Sequence, residues 1–202
     1  AFTQASAAEP KSLEAWRNLA RARMLAGQPA TALDALVRAK VLSPEAVATS
    51  YLEGIVLVRL NRTPEAVAAF EAAVRLDANA ATLRYQLANA YQAAGRNDKA
   101  VEQYRETVRL DPQHASAQYK LANVARQAGD QAGFQRHNLE FLRLRKLFGD
   151  ETRLPEMLER CVYTLPEAAP TPPPPAEPGI DVRFVDATQE VFPDAGQRRA
   201  DV

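Results

Sequence analysis

Two histidines, one cysteine and three evenly spaced tyrosines are the side chains from which chemistry could be built. Nucleophilic catalysis needs a Ser, Cys or Thr beside a base. His114 falls in a turn and His137 on a helical stretch, 131–147; neither has a cysteine or a patterned serine nearby. Both read as solvated or hydrogen-bonded surface side chains. Cys161 stands alone on a short amphipathic stretch and reads as a buried structural thiol. A metal site needs convergent His, Cys or carboxylates, and no such spacing occurs. Neither G-x-x-x-x-G-K nor G-x-G-x-x-G is present, so no phosphate-cradling loop is indicated. Asp150-Glu151 reads as a helix start. The sequence therefore offers no catalytic constellation, no cofactor site and no metal site. Tyr51, Tyr85 and Tyr119 remain, and their interval of 34 residues is the first sign of what positions them.

The composition sets bounds. Lys plus Arg equals Asp plus Glu at 25 each, which argues against a nucleic-acid partner, since that would call for a basic excess. Apolar residues make up 47% of 202, enough to bury a sizeable core. The longest apolar run, Gly54 to Val58, ends at Arg59, far short of the roughly 18 residues of a membrane span. The opening AFTQASAAEP lacks the basic and apolar regions of a signal peptide. One cysteine cannot form an internal disulfide. Sparse glycine and abundant alanine favour helix over sheet.

YQLANAYQAAG from Tyr85 returns as YKLANVARQAG from Tyr119, one period later. Cut at Leu13, Val47, Ala81 and Ala115, the chain gives four blocks of 34 residues without insertion or deletion. Position 8 of the blocks reads Ala20, Gly54, Ala88, Ala122. Position 20 reads Ala32, Ala66, Ala100, Phe134, and position 24 reads Leu36, Phe70, Tyr104, Asn138. Apolar residues at i, i+3, i+4 and i+7 mark two amphipathic helices per block. Leu87, Ala90, Tyr91 and Ala94 share one face in the third block; Val101, Tyr104 and Val108 belong to the next helix. Small residues at 8 and 20 let the two helices approach closely, and larger ones at 24 fill the gap. Gly95 ends the first helix where a positive φ is needed. Asp111-Pro112 stops the second. The expected helices span 13–26, 29–42, 47–60, 64–76, 81–94, 97–110, 115–128 and 131–147. Each pair leaves an apolar face that only a neighbouring pair can cover, so the pairs should stack.

These blocks resemble the tetratricopeptide repeat (TPR) family. Trp16, Leu19 and Ala20 match its opening element, Tyr91 the aromatic that follows, and Ala100, Tyr104 and Pro112 its closing half. The resemblance covers residues 1–148. It implies an all-α, right-handed superhelix (an α-solenoid) whose first helices line a concave groove through positions 2, 5, 6, 9, 12 and 13. Position 5 then carries Arg17, Tyr51, Tyr85 and Tyr119; position 9 carries Arg21, Ile55, Asn89 and Asn123; position 12 ends on Arg126. Tyrosine supplies contact area at low entropy cost, with a hydroxyl to orient a ligand. Asn89 and Asn123 can each hold a peptide backbone group. The expected peptide-binding set is accordingly Arg17, Arg21, Tyr51, Ile55, Tyr85, Asn89, Tyr119, Asn123 and Arg126. Some family members grip a C-terminal carboxylate with Lys, Asn and Arg at fixed positions. Here those positions hold Arg17, Arg21, Leu52, Thr82 and Gln86, or, one repeat later, Tyr51, Ile55, Gln86, Ser116 and Lys120; neither register fits. An extended, partly acidic peptide is the expected ligand. Glu53, at a position that is leucine in the other three blocks, should either find a donor or be turned aside so that Leu52 packs.

The ends complete the organisation. Residues 1–12 read as the second half of a truncated repeat, so the chain is expected to be a fragment. Blocks 13–46, 47–80, 81–114 and 115–148 are the repeats. Residues 149–165 should form a cap helix on helix 131–147, with Leu154, Met157, Leu158, Cys161 and Val162 at helical spacing. The Pro-rich stretch 166–179 reads as an extended, irregular linker. Ile180–Thr188 alternates and reads as one strand, and residues 180–202 read as the start of a domain that the chain does not contain. Phe184, Asp186 and Thr188 resemble the entry to FG-GAP/ASPIC/UnbV-type β-propellers, with Ala187 where Val is usual. The leading expectation is a non-enzymatic interaction scaffold with a protein or peptide partner, no nucleic acid and no membrane span. The alternative is the accessory arm of a larger propeller protein or enzyme. A propeller would imply a periplasmic or extracellular setting, and its absence a cytoplasmic one.

Overall fold

A computed structural model describes residues 9–148 together with Cys161 and Tyr163. Eight helices occupy the described residues: α1 (Leu13–Leu25), α2 (Pro29–Leu42), α3 (Val47–Arg59), α4 (Thr63–Leu76), α5 (Ala81–Ala93), α6 (Asn97–Leu110), α7 (Ala115–Gln127) and α8 (Gln131–Phe148). They match the sequence expectation to within a residue or two at each end. Each odd-numbered helix packs most extensively on the even one that follows, and each pair then meets the next. The result is an all-α solenoid of four helix pairs. The cap helix expected over 149–165, the linker and the single strand lie outside the described residues. Of that region only Cys161, in a bend, and Tyr163, in a turn, are described.

The turn inside every pair has the same geometry. Gly27, Gly95 and Gly129 sit at φ of 70°, 73° and 73°, and Asn61 takes the equivalent place at 58°. In all four, the residue after this left-handed one donates its N–H five residues back: Gln28 to Arg23, Arg62 to Leu57, Arg96 to Tyr91, Asp130 to Ala125. This is the Schellman closure, which satisfies a helix-terminal carbonyl and reverses the chain. Asparagine tolerates the left-handed region better than other non-glycine residues, which explains the exception.

The core follows the small-small-large rule. Ala20, Ala32, Ala66, Ala88 and Ala100 are buried, and so are Leu36, Phe70 and Tyr104. Gly54 stands where the other repeats have alanine, because a Cβ there would lie 2.6 Å from Cε1 of Phe70. The larger partner at position 24 thus demands the smaller one at position 8. Leu42, Leu76 and Leu144 share one repeat position without sharing an environment: Leu42 and Leu76 are partly exposed, whereas Leu144 is fully buried with Ala115 and Phe141 in a separate terminal cluster. Glu53 resolves its conflict in both ways foreseen. Its Oε2 accepts from Lys40 Nζ at 2.6 Å, and Leu52 is buried beside it.

Candidate functional site

The first helices of successive pairs, α1, α3, α5 and α7, carry all nine residues expected in the groove. The structure separates them into a closed half and an open half. Arg17, Arg21, Tyr51, Ile55 and Tyr85 are buried, with Tyr51 at 0% exposure, whereas Tyr119 is 45% exposed. Arg126 is exposed, and Asn89 and Asn123 are half-buried. The tyrosines therefore share a repeat position without sharing an environment.

Their neighbours explain the difference. Tyr51 is covered by Phe70, at 5.9 Å between ring centroids, and by Tyr163, at 5.6 Å. Tyr85 lies 5.8 Å from Tyr104 and 4.6 Å from the imidazole of His114. Burial pushes the Tyr85 phenol above its usual range, against the pull of hydrogen bonds with Asn89 and Ser116. Tyr119 has Phe141 on one side, 5.2 Å away, and solvent on the other.

A polar network runs between the repeats from this floor. Tyr104 Oη donates to Asn89 Oδ1 at 2.7 Å, and it also lies 3.2 Å from Gln92 Oε1. Lys120 Nζ, one repeat on, donates to the same Gln92 oxygen at 2.9 Å. Burial lowers the Lys120 pKa, with Tyr119 pulling it back up. Arg126 Nη2 reaches Asn123 Oδ1 at 3.4 Å. Tyr104 was legible only as a core filler; its hydroxyl, fixing the Asn89 amide, was the part that the repeat pattern did not reveal. At the other end, Arg21 Nη1 donates to Asn18 Oδ1 at 2.8 Å and its Nη2 to the main-chain carbonyl of Tyr163 at 3.0 Å.

His114 and His137 both serve structure. Nδ1 of His114 accepts from Ala117 N at 3.3 Å and caps α7. Burial lowers its pKa. His137 Nδ1 is 2.8 Å from Gln118 Oε1, and its pKa is lowered by burial and by Arg136 and Arg105. The sequence reading placed His114 only in a turn; the signal it missed was Ser12 at the equivalent position, whose hydroxyl accepts from Ala15 N at 3.2 Å. Cys161 is half-buried and packs against the main core. No group of three or more His, Cys, Asp or Glu placed to hold a metal ion occurs among the described residues, and no helix there is long and apolar enough to cross a membrane.

Comparison with known proteins gives one consistent answer. The family model for the tetratricopeptide repeat matches residues 1–47 and 85–134, and a second, the TPR repeat, matches 54–95. Among solved structures, a crystal structure of MamA superposes with a TM-score of 0.68 at 22% identity, covering 73% of this chain and 86% of that one. MamA residues 41 to the end from Desulfovibrio magneticus RS-1 give 0.67 at 21%, covering 73% and 84%. MamA of MSR-1 gives 0.59 at 18%, covering 67% and 78%. At such identities the likeness concerns the fold. No curated protein sequence matches. The propeller resemblance of residues 180–202 finds no support in these comparisons.

Proposed function

The chain belongs to the tetratricopeptide repeat family and is a protein–protein interaction scaffold; on that premise we propose that it works without catalysis, by holding an extended segment of a protein partner along the surface lined by its first helices. The observation that carries this reading is the open half on α7. Tyr119 stands 45% exposed with its ring braced by Phe141. Asn123 and Arg126 follow on the same helix face at four- and seven-residue spacing. A braced aromatic gives a ligand a rigid contact with few rotamers to lose, and an amide can pair with one peptide unit through both its donor and its acceptor. Arg126 adds a charge-assisted donor suited to an acidic side chain.

The nine groove residues then divide by task. Tyr119, Asn123 and Arg126 meet the partner directly. Asn89 contributes an amide oriented by Tyr104. Arg17, Arg21, Tyr51, Ile55 and Tyr85 form the deeper floor. Simultaneous Tyr119→Ala, Asn123→Ala and Arg126→Ala substitution should abolish capture of the partner held by the wild-type chain while moving the thermal midpoint by only a few degrees. Unchanged capture by a folded triple variant would reject the groove as the binding surface.

A further inference from the structure

One residue far along the chain already sits against the closed half. Tyr163 lies 142 positions from Arg21 and 86 from Asp77, yet it contacts both. Its phenol donates to Asp77 Oδ2 at 2.6 Å. Its ring tilts against Tyr51 at 5.6 Å and 46°. Its carbonyl accepts from Arg21 Nη2 at 3.0 Å. Each receiving group is itself held in place. Asp77 ends α4, and its other oxygen, Oδ1, accepts from Asn79 N at 3.2 Å in a short Asx turn, which leaves Oδ2 aimed at the phenol. Arg21 is steadied by Asn18. Tyr51 is braced from behind by Phe70.

The three contacts differ in what they select. A guanidinium on a main-chain carbonyl accepts any residue. The ring contact asks for an aromatic. The carboxylate asks for a donor at the far end of that ring, so together they ask for tyrosine. We propose that Arg21 and Tyr51 on the first helices, with Asp77 at the end of α4, form a tyrosine-reading site in the first two repeats, that Tyr163 is its resident ligand in cis, and that a partner segment enters this half only by presenting a tyrosine that displaces Tyr163. The inference rests on the groove reading above and names the chemistry of the partner at one subsite. Burial, followed by the hydrogen bond to Asp77, pushes the Tyr163 phenol well above its ordinary range, so the hydroxyl stays protonated and remains a donor. The tether matters as well. A ligand on the same chain competes at a high effective concentration, so a free partner segment must bind tightly or bring further contacts in the open half.

The test uses a labelled synthetic peptide spanning residues 158–168, with its cysteine replaced by serine, titrated by fluorescence anisotropy against the full chain. The Tyr163→Ala chain, its site vacated, should bind this peptide at least tenfold more tightly than the wild-type chain. The Tyr163→Phe chain should fall between them, since its ring still fills the slot without the Asp77 bond. The same peptide with alanine for tyrosine should bind none of the three. Equal affinity for wild-type and Tyr163→Ala chains, no binding by either, or indifference to the peptide's tyrosine would overturn the proposal. A second measurement is independent of peptide binding. Nitration by tetranitromethane should spare Tyr163 and modify Tyr119 in the wild-type chain, and Asp77→Ala should open Tyr163 to the reagent. Equal modification of the two tyrosines in the wild-type chain would likewise overturn the site. The peptide experiment does not engage Tyr119, Asn123 or Arg126, and nitration uses Tyr119 only as an exposed reference ring, so failure at Tyr163 would leave the open half of the groove standing.

Discussion

At the scale of the residue, the repeat frame tells which side chain must be small but not how small. Ala20, Ala88 and Ala122 show the rule, and Gly54 shows its limit, set by Phe70 from the facing helix. A methyl group at Gly54 must displace that ring, and overpacking of this kind costs about 1–3 kcal/mol. Alanine is also the better helix former by about 1 kcal/mol. Gly54→Ala should therefore lower stability in the wild-type chain and raise it in a Phe70→Leu background, where the ring is gone. Urea denaturation of the four chains of this double-mutant cycle measures the sign reversal. Glu53 was legible as a conflict, because leucine fills its position elsewhere. Its solution needed Lys40, which belongs to the preceding repeat and carries no signal of its own in the frame. The burial of Tyr51 was not legible at all, since one of its two covering rings comes from Tyr163.

The helix is the scale at which the sequence spoke most clearly. Periodicity placed all eight elements, and the turn residues placed their ends, because a left-handed residue and a proline are local constraints that no distant contact overrides. Caps are local too, but their identity varies: Ser12 and His114 cap with a side chain, while Ala46 and Ala80 in the same frame position do not. His114 makes the start of α7 sensitive to pH. Its imidazole must be neutral for Nδ1 to accept from Ala117, and burial holds its pKa below the ordinary value. Above about pH 6.5 both folded and unfolded chains are neutral at this residue. Below it, the unfolded chain takes up a proton that the folded site resists, so stability falls as pH drops toward the folded pKa. His137 acts in the same direction. His114→Asn keeps a competent cap without the titration. Its urea midpoint should change less between pH 7.5 and pH 5.5 than that of the wild-type chain, and an equal or larger change would remove His114 from this role.

For the repeats as a whole, contacts between neighbours carry the architecture. Tyr91 Oη donates to Glu71 Oε1 of the preceding repeat at 2.7 Å, and its phenol is pushed up to about 12 by burial and then by that carboxylate. Ties of this sort join a quasi-one-dimensional stack whose repeats would not stand alone. The frame made the stack and its inner surface legible. It did not show that half of that surface is closed, because closure depends on pairs such as Tyr85 with His114 and Tyr51 with Tyr163, whose geometry follows from stacking and from sequence-distant contacts. The central claim is that a partner lies along the first helices. It is tested most directly by placing a photo-crosslinking amino acid at 119, 123 or 126 on α7, and at 102, 105 or 109 on α6, and irradiating each chain with its partner. The account predicts adducts from the three α7 positions and none from α6. Adducts from α6 alone, or equally from both helices, would contradict it.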